Sequence, residues 1–410
     1  MPPSMNYQEA LDHIFASYMK AKAGHAGKFD REIRQPEAII SLARELGVLP
    51  PPERTIRITG SKGKGTTSRL VARYLKAELP EATVGLLVSP EELEHTDRMQ
   101  VNGTQVSKAD FARIYSGLTP RLEALLAAMP AGGYLSPSGL FMLIALVWFA
   151  EQGVSHFVLE TGRGARHDEV GQIASHVSIV TSIMLEHALS LGPTLKDIAA
   201  DKLSVAGNSE YLICLPAVYE TYKTLIPTPP APLAPARSLP AYPAWFEVND
   251  RLARSAVAAH LGHEVTSEVE LASPSFGWVE YNGTHIAYDA IINAASADRE
   301  LYREAFTGPR TLILASLPDD KDRDGLFKQF EETGATVREI ALSGTRGYLH
   351  YEKAKLEGRL LAEVAFNDAW AFRKVLKDAI TEFKPDVIHI AGTQTYIRLF
   401  KLAFSDIYRR

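Results

Sequence analysis

The chain has 410 residues, one cysteine and a net charge of −5. That length predicts two or three domains. The lone Cys214 excludes an intrachain disulfide, and the mildly acidic balance gives no basic face for nucleic acid. The longest apolar stretch, Gly139–Ala150, is too short to span a bilayer and reads as a buried helix. No basic region followed by an apolar core opens the chain, so no signal peptide is expected and the cytoplasm is the default location.

The first half alternates strand and helix signals. TIRIT (55–59) reads as a strand and TSRLVARYLKAEL (67–79) as a helix; TVGLLVS (83–89) is a second strand. A long helix follows from Lys108, with Ser107 as its N-cap. The apolar helix 139–150 leads to the strand HFVLE (156–160), then the strand VSIVTSI (177–183) and a helix over 194–206. Cys214 falls in the apolar run YLICL and reads as a buried, inert thiol. Near-continuous apolar strands alternating with helices predict a parallel sheet covered on both faces. A proline-dense segment, 226–245, interrupts the pattern; it can be neither helix nor central strand. After the helix EVNDRLARSAVAAHLG, a second α/β pattern starts near 271, with strands at WVEY, HIAYDAI, TLILASL, VREIAL and DVIHIAG and helices near 297–306 and 367–382. The predicted domains are 1–270 and 271–410, an α/β parallel-sheet unit with a phosphate loop and a smaller Rossmann-like α/β domain.

Between the strand at 55–59 and the next helix stands TGSKGKGTT. Phosphate-binding loops need glycines so that backbone N–H groups can approach oxygens, and a following helix whose N-terminus favours negative charge. A lysine and a hydroxyl complete them, on a phosphate oxygen and on magnesium. Gly60, Gly63 and Gly65 give backbone access here, Lys64 faces the phosphates, and Thr66 or Thr67 lies near the metal. Two further strand ends deliver polar groups to the same rim: Ser89 after TVGLLV, and Glu160 closing HFVLE. His187 follows the strand VSIVTSI. The C-terminal edge of a parallel sheet is where ligands bind.

The loop resembles the T-G-x-N-G-K-G-S/T loop of the Mur ligase superfamily, and of folylpolyglutamate synthases in particular. The resemblance recurs in order along the chain. The segment at 89–107 resembles S-P-H-L…E-R-I-x-I-N-G, and VLETGRGARHDEV (158–170) resembles V-L-E-V-G-L-G-G-R-L-D-A-T. TSIMLEHALSLGPTLKDIAADK (181–202) resembles T-S-I-x-L-D-H…L-G-x-T-L-x-x-I-A-x-x-K. YDAIINAAS (288–296) is a weaker match to L-D-G-A-H-N-P, and 314–322 resembles the segment ending in D-K-D.

The resemblance implies an enzyme that joins a carboxylate to an amine: ATP phosphorylates the carboxylate and the amine attacks the acyl phosphate. It implies that Ser89, Glu160 and His187 help hold magnesium, that Lys202 occupies a position often N-carboxylated, that Asn249 meets the adenine and that Asp289 lies near the ribose. The expected partners are a small carboxylate and an amine, with no nucleic acid or membrane, and the chain is expected to be a monomer. Three positions depart from the family pattern. Ile292 stands where the histidine of D-x-A-H-N is found, although Asn293 is kept; SPSFGWVEY lacks the arginine of a P-G-R segment; and Glu91 replaces the histidine of S-P-H. Lys321, Arg323 and Arg299 are the candidate replacement cations. These departures make a specialised amide ligase the expected activity; the alternatives are a degenerate nucleotide-binding or scaffold protein without turnover, and a different phosphotransferase.

Overall fold

The computed structural model describes residues 5–25, 27–227, 245–270, 276–294, 310–344 and 349–408. Most of the proline-dense segment, the helix expected near 297–306 and Arg299 lie outside the described residues. The chain divides into two compact units, Met1–Leu271 and Ala272–Arg410.

The first unit is built on a seven-stranded sheet: β1 (Thr55–Thr59), β2 (Val84–Leu87), β3 (Met99–Val101), β4 (Thr104–Gln105), β5 (His156–Glu160), β6 (Ser175–Val180) and β7 (Ser209–Cys214), in the order β4-β3-β2-β5-β1-β6-β7. β2, β5, β1, β6 and β7 run parallel. β1 and β5 are buried along their whole length, which is why TIRIT and HFVLE carry so little solvated surface. The strands β3 and β4 are antiparallel additions that the alternating pattern does not predict. The connection from β2 to β3 is too short for a crossover helix. Asn102 and Gly103 both take positive φ, 49° and 83°, as a two-residue hairpin turn requires.

Four helices bear on the site. α1 (Lys64–Glu78) begins three residues before its expected start, because Gly63 leaves the loop in a left-handed conformation (φ 90°) and the chain is helical from Lys64 on. α2 (Pro137–Glu151) is buried on nearly every side, starting from Pro137 with Ser136 as its cap. α3 (Leu195–Lys202) is capped by Thr194 and tightens into a 3₁₀ turn at Leu203–Asn208 instead of continuing to 206 as a helix. α4 (Trp245–Leu261) packs along α1 and over β6 and β7, burying Leu252, Ala253, Ala256 and Val257 against Leu70, Val71 and Leu75. Ser107 caps the helix Lys108–Ala128 by accepting from the Asp110 N–H at 2.9 Å. Cys214 is buried at the end of β7, and burial pushes its thiol up to about 11.

The second unit carries a six-stranded sheet of β8 (Phe276–Tyr281), β9 (Thr284–Ala290), β10 (Thr311–Ser316), β11 (Thr336–Ser343), β12 (Leu360–Ala365) and β13 (Val387–Gly392), in the order β12-β11-β10-β13-β9-β8. All pairs are parallel except β8 with β9, joined by a second Asn-Gly turn at 282–283 with φ of 51° and 79°. α5 (Arg323–Glu332), α6 (Ala369–Phe383) and α7 (Gln394–Ala403) cover it. No helix among the described residues is long and apolar enough to cross a membrane.

Candidate functional site

The strand order sets the C-terminal ends of β2, β5, β1 and β6 side by side. Ser89, Glu160, the glycine loop and the segment 181–187 therefore emerge along one edge. The loop is fixed to the end of β6 by its backbone: Ser61 N donates to Ser182 O at 2.8 Å, Lys62 N to Ser182 Oγ at 2.9 Å, and Thr181 Oγ1 to Lys62 O at 2.6 Å. Two glycines are required by what lies against them. A Cβ on Gly60, whose φ is 135°, would stand 2.0 Å from Thr181 Oγ1; one on Gly63 would stand 2.3 Å from Asn249 Oδ1. Lys64 folds back over the loop, its Nζ donating to Gly60 O at 2.9 Å and reaching Ser61 O at 3.4 Å. The first N–H groups of α1 have no preceding helical carbonyl to bond.

Asn249 comes to the loop from α4. It is buried, and its Oδ1 accepts from Thr67 Oγ1 at 3.3 Å. That bond commits Thr67 to α4 and leaves Thr66 as the hydroxyl of the pair without that tie.

Glu160 is 2% exposed at the end of β5. It accepts from the Ser89 backbone N–H, while its Oε2 has no hydrogen-bond partner. Burial pushes its carboxyl up to about 7, against the opposing charges of Lys64, Arg69 and Arg98. A Cβ on Gly65 would lie in ordinary contact with that unpartnered oxygen, at 3.5 Å, so the oxygen faces the first turn of α1. An orphaned, buried carboxylate oxygen beside a phosphate loop fits a divalent cation, since magnesium takes one or two carboxylates together with phosphate oxygens. Glu160 and His187 do not close into a larger cage: among the described residues no three His, Cys, Asp or Glu side chains gather around one point.

The titration of Glu160 gives a test of its state in the metal-free chain. Its folded pKa is above the unfolded value, so stability falls as pH rises from about 4.5 through 7 and the full penalty, about 3 kcal/mol, is present above 7. Glu160→Gln is expected to raise the metal-free unfolding midpoint at pH 8, leave it nearly unchanged at pH 4.5, and weaken magnesium-dependent nucleotide binding. A midpoint at pH 8 equal to or below wild type contradicts the assignment.

Lys202 ends α3 wholly buried. Its Nζ lies 2.9 Å from Gly60 O, 3.1 Å from Arg163 O and 3.0 Å from Glu186 Oε1. Gly60 O thus accepts from both Lys64 and Lys202. Desolvation lowers the Lys202 pKa, while Glu186 opposes the shift. His187 takes φ 49° at the start of the short helix Ala188–Leu191, with Nε2 3.7 Å from Glu186 Oε2. A left-handed histidine is uncommon and marks a position held by its surroundings.

Further charged groups stand at this edge. Arg69 is an ordinary helix residue until α1 aims it at Gly65. Glu186 is the acid that reaches Lys202. Arg163 pairs with the buried Asp30 through two bonds. Glu91, which replaces a histidine of the family pattern, is held by Arg98 and, at 3.3 Å, by His95. Its charge is absorbed locally.

In the second unit the two resembling segments meet. Asp322 N donates to Ile292 O at 3.2 Å, and Ala294 N donates to Asp322 Oδ2 at 2.9 Å. Asp289 is buried on β9 and Asn293 just beyond it. Arg323 corrects an expectation: its guanidinium is buried in a two-pronged pair with Glu339 and bonded to the Leu317 carbonyl, so it is not a replacement cation for nucleotide phosphates. Lys321 lies 3.0 Å from Asp320.

This architecture, a phosphate loop between β1 and α1 with a second α/β unit, is the Mur ligase fold. Within that class the likeness is to folylpolyglutamate synthases. Folylpolyglutamate synthase of Mycobacterium tuberculosis, solved with ADP and AMPPCP, superposes with a TM-score of 0.74 at 20% identity, covering 95% of this chain and 99% of that one. The bifunctional folylpolyglutamate synthase/dihydrofolate synthase of Yersinia pestis, solved with AMPPNP and a manganese ion, gives 0.67 at 19% identity over 91% and 94% of the two chains. In sequence, the dihydrofolate synthase/folylpolyglutamate synthase of Bacillus subtilis is 27% identical over 198 residues, 47% of this chain and 44% of that protein. That of Escherichia coli is 31% identical over 173 residues, 41% and 38%. The matches thus span less than half the length of these relatives. No family model matches the chain.

Proposed function

We propose that the chain is an ATP-dependent carboxylate–amine ligase working as a cytoplasmic monomer through an acyl phosphate. The observation that carries this reading is the buried, unpartnered Oε2 of Glu160 beside the phosphate loop. The oxygen of a substrate carboxylate attacks the γ-phosphorus of ATP, the bond to the bridging oxygen breaks, and ADP leaves. The amine nitrogen then attacks the acyl carbon, the carbon–oxygen bond to phosphate breaks, and the nitrogen loses a proton to give the amide.

Gly60, Gly63, Gly65 and the first turn of α1 cradle the phosphates; Lys64 leaves the Gly60 carbonyl to neutralise them. Ser89, Glu160, His187 and Thr66 are the proposed metal-side groups. Bound magnesium would supply charge neutralisation on the phosphoryl oxygens. Asn249, its Oδ1 taken by Thr67, has its amide N–H groups to offer the base. The unit 1–270 would bind ATP. The structures solved with AMPPCP, AMPPNP and manganese support nucleotide and divalent-metal use. Holding two anionic reactants in line supplies much of the rate in such chemistry.

The Lys202 Nζ faces three acceptors, Gly60 O, Arg163 O and Glu186 Oε1. We propose that it takes up CO2 only in the loaded enzyme, when Glu186 releases it: the neutral amine that burial favours forms the N–C bond and gives up a proton. Carbon-13 bicarbonate is expected to give a carbamate resonance with magnesium and AMPPCP, absent from Lys202→Arg. No resonance in the loaded wild type contradicts this.

The function is tested by incubating the chain with ATP, magnesium, pooled carboxylates and pooled amino acids. The relatives' names make a folate-type acceptor with glutamate the first pair to try. Acceptor-dependent ADP release with a mass gain equal to condensation is expected. Nucleotide binding without turnover on any pool contradicts the ligase reading and favours a degenerate member.

A further inference from the structure

Arg69 stands one and a half turns along α1 from Lys64, 13% exposed. Its Nη1 donates to Gly65 O at 3.1 Å, and Nη2 is 3.9 Å from Glu92 Oε2, beyond hydrogen-bond range. Its other N–H groups have no acceptor among the described residues. The neighbouring cations are differently placed. Arg98 is committed to Glu91, Arg163 to Asp30 and Lys202 to its three acceptors. The geometry at Gly65 shows how close Arg69 comes to the chemistry. A Cβ there would lie 3.1 Å from Arg69 Nη1 and 3.5 Å from Glu160 Oε2, so the guanidinium and the orphaned carboxylate oxygen flank the same glycine.

A guanidinium with unspent donors, fixed by one bond to the first turn of α1, is arranged to bind an oxyanion in two-pronged fashion. We propose that Arg69 binds a substrate oxyanion at this edge. The proposal rests on the ligase reading. The oxyanion is either the terminal phosphoryl group of the nucleotide or the carboxylate that receives it; both carry oxygens that a planar fork can take in pairs.

The experiment compares AMPPCP and ADP affinity, and acceptor KM, in the wild type, Arg69→Gln, Arg69→Lys and Arg69→Ala, all with saturating magnesium. If the phosphoryl group is the ligand, Arg69→Gln is expected to weaken AMPPCP at least about tenfold with ADP unchanged. If the carboxylate is the ligand, acceptor KM rises by a similar factor and both nucleotide affinities hold. In either case lysine restores only part of the loss, because the fork is gone, and added guanidinium ion partly rescues Arg69→Ala. Arg69 acting only through the charge on Glu160 would shift the pH dependence of magnesium binding, leave the AMPPCP-to-ADP ratio and acceptor KM alone, and show no rescue; that result overturns the proposal. Wild type that binds neither nucleotide would instead bring down the ligase reading, and wild type and Arg69→Gln binding both nucleotides and the acceptor equally would bring down only the role of Arg69.

Discussion

Lys64→Ala is expected to lower ATP-dependent turnover by about three orders of magnitude while leaving the fold of the first unit intact. The loop carries this ammonium over its own carbonyl, at 2.9 Å from Gly60 O. Moving it a few ångströms onto a phosphoryl group requires no rearrangement of the strand or helix. Preorganised charge at the point where charge develops is the largest single contribution in this kind of chemistry. The structural cost is small, because the lost bond is a partly exposed one to a carbonyl that also accepts from Lys202; about 1 kcal/mol is the expected scale. Steady-state ADP release and thermal unfolding on the same preparation measure both. Turnover within tenfold of wild type would remove Lys64 from the site.

Arg57→Met is expected to have the largest effect on stability. Arg57 is the middle residue of β1 and is fully buried. Its donors reach Gly171 O at 2.7 Å, Val205 O at 2.8 Å, Asn208 Oδ1 at 2.7 Å and Ser178 Oγ at 3.1 Å, and also the Ile173 carbonyl. No carboxylate is among them, and burial lowers its pKa to about 9. The cation is satisfied by dipoles that tie β1 to the turn before β6 and to the turn before β7. A methionine of similar reach leaves Asn208 Oδ1 and the Ile173 carbonyl without a donor in a dry interior, while Gly171 O, Val205 O and Ser178 Oγ keep their bonds to Asn208, Ser209 and Ser175. Each buried group left unpaired costs about 1–3 kcal/mol, partly relieved by relaxation, so a loss of about 3–5 kcal/mol is expected. For a unit of this size that is a fall of roughly 10 °C or more in unfolding midpoint. Arg57→Lys, with three donors and no fork, should fall between. An unchanged midpoint in Arg57→Met would show that these bonds contribute little net stability.

The glycine loop was legible because its signal is local: strand, glycines, lysine, hydroxyls and helix fall within one short stretch. Glu160 and Ser89 were legible by a rule about where parallel strands end. The two Asn-Gly turns stand in the sequence at 102–103 and 282–283, but each joins strands too short to show an alternating pattern of their own beside the buried parallel strands. Other features depend on partners distant in sequence. That Gly60 must be glycine follows from Thr181, and that Gly63 must be follows from Asn249. Arg57 reads as a polar residue in a strand until the turns that receive it are in place. Arg323 looked like a free cation near D-K-D; Glu339, on a different strand, shows that it is not. Arg69 lies in a helix of mixed charge, and the approach of Glu160 on β5 to the same Gly65 separates it from a solvated arginine.

The most direct measurement follows oxygen. The chain would be incubated with magnesium, ATP, an amine pool and carboxylates labelled with oxygen-18 in both positions, and the released phosphate analysed by mass. An acyl phosphate hands one carboxylate oxygen to the phosphate when the amine displaces it. Phosphate carrying one heavy oxygen, formed together with an amide that retains the other, is the expected result, and it should vanish in Lys64→Ala. Phosphate free of label alongside ADP release would mean that water, not a carboxylate, attacks the nucleotide, and would contradict the ligase mechanism.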